Sequence, residues 1–199
     1  TICADGMVVD TRSPEVVQAR ASVFEFLLIN HPLDCPVCDK GGECPLQDLT
    51  FRYGPGSTRM TFPKMTFDKP IPVSPLIALD RERCILCYRC VDACGEQHQN
   101  TFAIHVAGRG FDARISTELA TPLPESACVY CGNCIAVCPT GALMFRSEHE
   151  LREAGDWREN EQTVTETTCP YCGVGCSLEL HVQSNRIVKV TSSADHDVT

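Results

Sequence analysis

The chain has 199 residues, 43% of them hydrophobic and 22% charged, and its 26 acidic and 17 basic residues give a formal net charge of −9. This composition is typical of a folded, water-soluble protein and argues against nucleic-acid binding through a basic face. No apolar stretch approaches the roughly 18 to 20 residues of a membrane helix. Fifteen cysteines in so short a chain indicate disulfides, metal ions or iron–sulfur clusters.

The N-terminus has neither the basic flank nor the long apolar core of a signal peptide. Because the first residue is Thr1 and not Met, we expect a segment cut from a longer protein. We expect that protein in the cytoplasm, or on the cytoplasmic face of a membrane as part of a complex, where structural disulfides are rare. The odd number of cysteines also argues against a disulfide framework.

Fourteen of the cysteines fall into four groups with short internal spacings. Ligands two or three residues apart can converge on one site, whereas disulfide partners need no such crowding. Cys3 stands alone and is predicted to be a plain buried thiol. The groups are Cys35, Cys38 and Cys44; Cys84, Cys87, Cys90 and Cys94; Cys128, Cys131, Cys134 and Cys138; and Cys169, Cys172 and Cys176.

The first predicted domain, residues 1–52, contains a helix and a histidine-led cysteine group. The helix is predicted over 14–30, with Ser13 as N-cap and Pro14 in its first turn. It ends at His31, which begins the pattern His31-x3-Cys35-x2-Cys38-x5-Cys44. On spacing alone this pattern also fits a zinc site with three cysteines and one histidine.

A Gly- and Pro-rich extended connector is predicted over 53–79, followed by a two-cluster ferredoxin-like domain over 80–146. That domain contains the spacing C-x2-C-x2-C-x3-C twice, in which three thiolates bind one iron–sulfur cube and the fourth binds the other cube. The fourth cysteine of each run is predicted to start a helix. A hairpin with a turn at 108–110 is predicted between the runs. The expected ligand sets are Cys84, Cys87, Cys90 and Cys138 for the first cube, and Cys94, Cys128, Cys131 and Cys134 for the second.

A polar linker is predicted over 147–165, and residues 166–199 contain the last cysteine group. Cys169, Cys172 and Cys176 follow the spacing C-x2-C-x3-C, and no cysteine comes after them. A zinc ribbon half-site is the alternative for this group. The alternating apolar residues that follow predict a β-hairpin that turns at Ser184-Asn185. Arg83 and Arg89 lie beside cluster ligands and could offset the negative charge of a reduced cluster, but the favoured prediction is that both are solvated surface residues.

These motifs resemble three known family elements. The segment from His31 to Asp48 is similar to the His-Cys3 [4Fe–4S] element of the large hydrophilic iron–sulfur subunit of respiratory complex I (its G subunit), of iron-only hydrogenases and of NAD-dependent formate dehydrogenases. The two four-cysteine runs resemble bacterial two-cluster ferredoxins. The segment from Cys169 to Cys176 resembles the opening of the molybdopterin oxidoreductase family. Two complete runs favour the catalytic (alpha) subunit of a molybdenum- or tungsten-dependent, NAD-linked formate dehydrogenase.

The resemblance implies an α+β fold of small iron–sulfur lobes, with three complete [4Fe–4S] sites and a fourth that is truncated. It implies a parent protein with a preceding [2Fe–2S] domain and a bis-molybdopterin guanine dinucleotide cofactor. The chain would transfer electrons between a formate-oxidising site and a flavin- and NAD-binding partner subunit, without a complete catalytic site of its own. The alternatives are the G subunit of NADH-quinone oxidoreductase and, in another class, a zinc-stabilised interaction module. No nucleic-acid partner and no membrane insertion are expected.

Overall fold

The structure, a computed structural model, describes residues 2–67 and 71–192. Within these residues it contains short α-helices and three small antiparallel sheets, which confirms the predicted α+β class. The helices are α1 (Pro14–Leu28), α2 (Pro45–Tyr53), α3 (Arg89–Cys94), α4 (Asn133–Ala136) and α5 (Arg146–Glu153). The strands are β1 (Ile71–Pro72), β2 (Ile77–Leu79), β3 (His105–Ala107), β4 (Arg114–Ser116), β5 (Leu143–Phe145), β6 (Thr163–Thr168), β7 (Ser177–Gln183) and β8 (Arg186–Ser192). Single 3-10 turns occur at Cys35–Val37, Gly110–Asp112, Glu118–Ala120, Leu123–Glu125 and Glu159–Glu161.

The first helix begins where the sequence predicts and ends slightly earlier, at Leu28. The Ser13 hydroxyl accepts a hydrogen bond from the Val16 amide at 3.4 Å, which satisfies one of the unpaired amides of the first turn. On its inner face Phe24 is buried with Cys44 and Leu46, at the start of α2. The two helices therefore pack directly around the segment that carries the first cysteine group.

The segment predicted as an extended connector contains β1 and β2. Ile77, Ala78 and Leu79 of β2 are all buried, because this strand lies between β1 and β5. Ile77 pairs with Phe145 and Leu79 with Leu143, so the two ends of the central domain form one sheet.

The hairpin predicted between the two cysteine runs is confirmed, since β3 and β4 are antiparallel and His105 pairs with Ser116. The prediction that each fourth cysteine starts a helix is wrong. Helix α3 ends at Cys94, and α4 ends before Cys138. Each helix instead contains the third cysteine of its run. The thiol of that cysteine is therefore buried from the first turn of the helix.

The last sheet has the order β6-β7-β8, and the predicted hairpin at Ser184-Asn185 is confirmed. Both turn residues have positive φ, of 50° and 60°. The segment predicted as a linker over 147–165 instead contains most of α5 and the beginning of β6. Within the described residues, no helix combines the length and apolar character needed to cross a bilayer.

Candidate metal centres

The first candidate centre is the loop that carries Cys84, Cys87 and Cys90, together with Cys138. These four cysteines line one cavity under β2 and β4. The loop is curled by positive φ angles at Leu86 and Tyr88, so its amides turn toward the thiols; the Leu86 amide donates to Cys84 Sγ at 3.5 Å. Burial, and then the nearby Cys138 and Cys84 thiols, raise the pKa of Cys90 to about 12. A free thiol here is therefore protonated at neutral pH, and a bound metal must displace that proton.

The second candidate centre repeats this geometry with Cys128, Cys131 and Cys134. The amide of Tyr130 donates to Cys128 Sγ at 3.5 Å, and Tyr130 also has a positive φ. Burial raises the pKa of Cys134 to about 12, and the neighbouring thiols that add to this shift are Cys131, Cys128 and Cys94. The structure thus brings Cys94, from the first run, beside the second triplet. Each run contributes its fourth cysteine to the surroundings of the other run.

The histidine-led centre lies on the loop between α1 and α2. The His31 side chain is half-buried, and its Nδ1 is a buried atom without a hydrogen-bond partner. Burial lowers the pKa of His31, which favours the neutral imidazole that binds metal. Burial also raises the pKa of Cys38. A buried, unpaired imidazole nitrogen is unfavourable unless it meets a ligand, so this donor set fits a bound metal or cluster.

The loop of this centre is compact, because the backbone at Gly41 lies close to the backbone at Cys35. A Cβ on Gly41 would stand 2.4 Å from the carbonyl oxygen of Cys35, closer than real Cβ atoms approach. Cys44 directly precedes α2 and is buried. Its Sγ donates to the carbonyl oxygen of Pro139, the residue after Cys138, at 3.3 Å. The histidine-led centre therefore adjoins the first ferredoxin-like centre.

Arg83 also joins these two centres, and sequence reasoning placed it wrongly. It was predicted to be a solvated surface residue, but only 7% of it is exposed. Its guanidinium forms ion pairs with Asp34 and Asp80. Arg89, given the same prediction, is exposed as expected. The sequence signal that distinguishes them is weak: Arg83 lies in the turn that precedes its loop, whereas Arg89 begins α3.

The last cysteine group lies on the loop between β6 and β7. The Cys169 amide donates to the Cys176 carbonyl oxygen at 2.8 Å, which closes the loop, and Cys172 is exposed. Cys3 is also exposed, so the prediction of a buried thiol there is wrong. Among residues 2–67 and 71–192, no three His, Cys, Asp or Glu side chains are grouped as the ligands of a single metal ion.

Three family models match successive parts of the chain. Residues 20–59 match the NADH-ubiquinone oxidoreductase-G iron-sulfur binding region, and residues 74–144 match the ferredoxin-like domain of NADH-quinone oxidoreductase subunit 3. Residues 162–199 match the molybdopterin oxidoreductase Fe4S4 domain. The three matches follow the order of the cysteine groups along the chain.

Curated relatives and a solved structure agree with these matches. The chain is 43% identical to the G 2 subunit of NADH-quinone oxidoreductase from Rhizobium meliloti, over all of this chain and 22% of that protein. It is 40% identical to NADH-quinone oxidoreductase subunit 3 of Thermus thermophilus, over 96% of this chain and 25% of that protein. A crystal structure of an NAD+-reducing [NiFe]-hydrogenase has a TM-score of 0.59 and 29% identity, over 68% of this chain and 57% of the other.

The chain thus spans about a quarter of the length of these curated relatives. None of the three names a formate dehydrogenase, so that assignment stays a prediction. The names of these proteins agree on an NAD-linked oxidoreductase, and the family models add iron–sulfur binding regions.

Proposed function

Because the chain is built from iron–sulfur domains of the kind found in the G subunit of NADH-quinone oxidoreductase, we propose that it is the electron-transfer segment of a multisubunit, NAD-linked oxidoreductase. It holds three complete [4Fe–4S] sites, and its last cysteine group is the beginning of a fourth. The observation that carries this proposal is the interleaving of the two cysteine runs, in which Cys94 and Cys138 each lie among the thiols of the other run. A [4Fe–4S] cluster supplies one-electron chemistry, with a potential tuned by its ligands and surroundings.

The proposed ligand sets are those that the cysteine spacing predicts, and the interleaving supports the two ferredoxin-like sets. The first ferredoxin-like site is Cys84, Cys87, Cys90 and Cys138, and the second is Cys94, Cys128, Cys131 and Cys134. The histidine-led site is His31, Cys35, Cys38 and Cys44, and the incomplete site is Cys169, Cys172 and Cys176.

The protein around these sites contributes burial and hydrogen bonds. Cys90, Cys94 and Cys134 are buried together with Ile104, Ile115 and other apolar side chains, so water is largely excluded from the ligand sulfurs. Amides such as that of Leu86 donate to the sulfurs and offset negative charge there. The neutral His31 carries one negative charge less than a thiolate would, which favours a higher potential at its site.

The partner is a flavin- and NAD-binding subunit of the same complex, and the parent protein also holds a [2Fe–2S] cluster. Quinone-linked NADH oxidation is supported by the names of the two curated relatives. Formate oxidation at a molybdenum or tungsten bis-molybdopterin guanine dinucleotide site is the second candidate. It is supported by the two complete four-cysteine runs, as reasoned from the sequence.

The interleaved ligand sets can be tested with cysteine variants of the anaerobically purified protein. Cys94→Ala should remove the second site, with loss of about four iron atoms per chain, although Cys94 belongs to the first run in sequence. Cys138→Ala should remove the first site in the same way. Cys3→Ala is the matched control, since Cys3 is exposed and outside every proposed set.

Electron paramagnetic resonance of the reduced protein identifies which cluster is lost. Pulsed spectra should contain a nuclear coupling to the imidazole nitrogen of His31, and His31→Cys should abolish it. A colourless protein with zinc and no iron would support the interaction-module alternative. Loss of the first-site signal in Cys94→Ala, with the second site intact, would contradict the interleaved assignment.

A further inference from the structure

Arg83 is a buried cation held between two ligand loops. Its guanidinium Nη2 lies 3.0 Å from Asp34 Oδ2, and its Nε lies 3.4 Å from Asp80 Oδ2. Asp34 directly precedes Cys35, and Arg83 directly precedes Cys84, so the ion pair joins the histidine-led loop to the first ferredoxin-like loop. Because a buried charge is unfavourable unless it is paired, this geometry fixes the side chain in one place.

The Arg83 side chain also lies beside the sulfur of Cys38. The point where a Cβ on Gly141 would stand is 2.7 Å from Cys38 Sγ and 3.5 Å from Arg83 Nη1. Because Gly141 has no side chain, both groups lie beside the space that a Cβ would fill. The backbone of Arg83 is fixed as well, since its carbonyl oxygen accepts a hydrogen bond from the buried Thr140 hydroxyl at 2.8 Å.

We propose that Arg83 is a positioning residue of the histidine-led site, which it reaches from the ferredoxin-like domain, and that its buried charge raises the reduction potential of the cluster held there. This inference rests on the ligand set proposed above. Reduction adds a negative charge to a cluster, and a fixed positive charge nearby stabilises that charge, with little screening where water is excluded. Asp34 and Asp80 oppose this effect, and Lys64 acts in the same direction as Arg83.

The test is a potentiometric titration of the cluster-loaded protein, followed through the signal that carries the imidazole nitrogen coupling. At the midpoint potential of the unaltered protein, Arg83→Gln should lower the ratio of reduced to oxidised cluster by about tenfold. For a one-electron couple this equals a fall of about 59 mV in the reduction potential. Arg83→Lys should restore most of this ratio, because it keeps the charge. The site formed by Cys94, Cys128, Cys131 and Cys134 serves as the internal reference and should not change.

Arg89→Gln is the matched control, since Arg89 also precedes a proposed ligand but is exposed to solvent. Asp34→Asn is the second variant. It leaves the charge of Arg83 less compensated and should raise the ratio of reduced to oxidised cluster. If Arg83→Gln fails to load the site, the double variant Asp34→Asn/Arg83→Gln decides, since it should give a lower ratio of reduced to oxidised cluster than Asp34→Asn alone.

An unchanged ratio in the loaded Arg83→Gln protein, or a fall in Asp34→Asn, would overturn the proposal. A shift in Arg83→Gln that Arg89→Gln reproduces would also overturn it, because the effect would then not depend on the buried position. If the unaltered protein shows no nitrogen-coupled signal, the proposed ligand set itself fails, and this inference fails with it.

Discussion

Gly141 shows how closely two ligand loops approach at the scale of single residues. A Cβ at this position would meet Cys38 Sγ at 2.7 Å and Arg83 Cδ at 3.4 Å. Overpacking of this kind costs about 1–3 kcal/mol, and here the group that must move is a proposed ligand. We therefore expect Gly141→Ala to lose the histidine-led cluster, measured as iron content and as the nitrogen-coupled resonance.

Gly56→Ala is the control for this prediction, because a Cβ there would meet no atom within 4 Å. It should keep full iron content. A Gly141→Ala protein with an unaltered nitrogen-coupled signal would contradict the packing of Cys38 described above.

The candidate ligands could be predicted from the sequence because their spacing follows from cluster chemistry, whereas their surroundings could not. Arg83 and Gly141 are 58 residues apart, and nothing local indicates that they meet at Cys38. Cys3 illustrates the opposite error, since a lone cysteine is more often buried than exposed. Local spacing predicts candidate ligands, but long-range packing decides which charges and gaps lie beside them.

At the scale of elements, Glu25 of α1 holds the segment that follows α2. Its carboxylate accepts hydrogen bonds from the Arg59 amide at 2.6 Å and from Arg59 Nε at 2.8 Å. These contacts lower the pKa of Glu25 below its ordinary value of 4.5. Because the pKa of Glu25 is lower in the folded than in the unfolded chain, the ionised carboxylate stabilises the fold at pH values above about 4.5. This stabilisation is lost as the pH falls through the folded-state pKa.

Hydrogen exchange of the Arg59 amide tests the contact between Glu25 and Arg59. Its protection, corrected for intrinsic exchange, should be constant near neutral pH and fall as the pH drops below about 4.5. Glu25→Gln should show weaker protection at neutral pH and no such loss in acid. Protection that falls equally in both proteins would show that Glu25 is not the group that titrates.

Helix α5 joins the last sheet to the central domain through a second buried carboxylate. Glu148 accepts from Arg152 Nη2 at 2.8 Å and pairs with Lys189 of β8 at 3.1 Å. Glu148→Ala removes the carboxylate that pairs with Lys189 and the nearer of the two that pair with Arg152, whose other partner Glu159 lies at 4.0 Å. It should destabilise the docked sheet by about 1–3 kcal/mol. Denaturation followed through Trp157 reports on this region, since Trp157 is the single tryptophan and lies near Arg152.

Glu150→Ala is the matched control on the same helix. Glu150 also pairs with an arginine four residues away, but 58% of its side chain is exposed. Exposed pairs of this kind contribute about 0–1 kcal/mol, so the denaturation midpoint of Glu150→Ala should scarcely differ from that of the unaltered protein. Equal losses of stability in the two variants would mean that the ion pairs of Glu148 do not hold the last sheet against α5.

The elements that sequence predicted well were those with local signals. Ser13 and Pro14 define the start of α1, and the Ser184-Asn185 turn defines the last hairpin. Strand β6 was missed, because all six of its residues are exposed and most are polar, so they carry no burial pattern. Its position depends on pairing with β7, which no local rule provides. Helix α5 was missed for a related reason, since its mean hydropathy is low and its buried residues, Glu148 and His149, are polar.

At the scale of the whole molecule, the ligands are themselves a large part of the core. Within residues 2–67 and 71–192, the main buried cluster has ten residues, and three of them are the proposed ligands Cys90, Cys94 and Cys134. In the described residues, the sheets of the central domain have two or three strands of at most three residues, so they bury little apolar area of their own. Cluster binding therefore contributes folding free energy directly.

We accordingly expect removal of iron by a chelator under reducing conditions to leave the described part of the chain largely unfolded. Without clusters, the thiols at the centre of the core lose the partners that hold the loops together, and the apolar area left is small. Circular dichroism should then show little helix and no cooperative thermal transition, and both should return when clusters are reconstituted anaerobically. Cys3→Ala should behave as the unaltered protein does in both states. A cooperative thermal transition of the iron-free chain would mean that packing alone determines this fold, and that the clusters bind to a structure that is already folded.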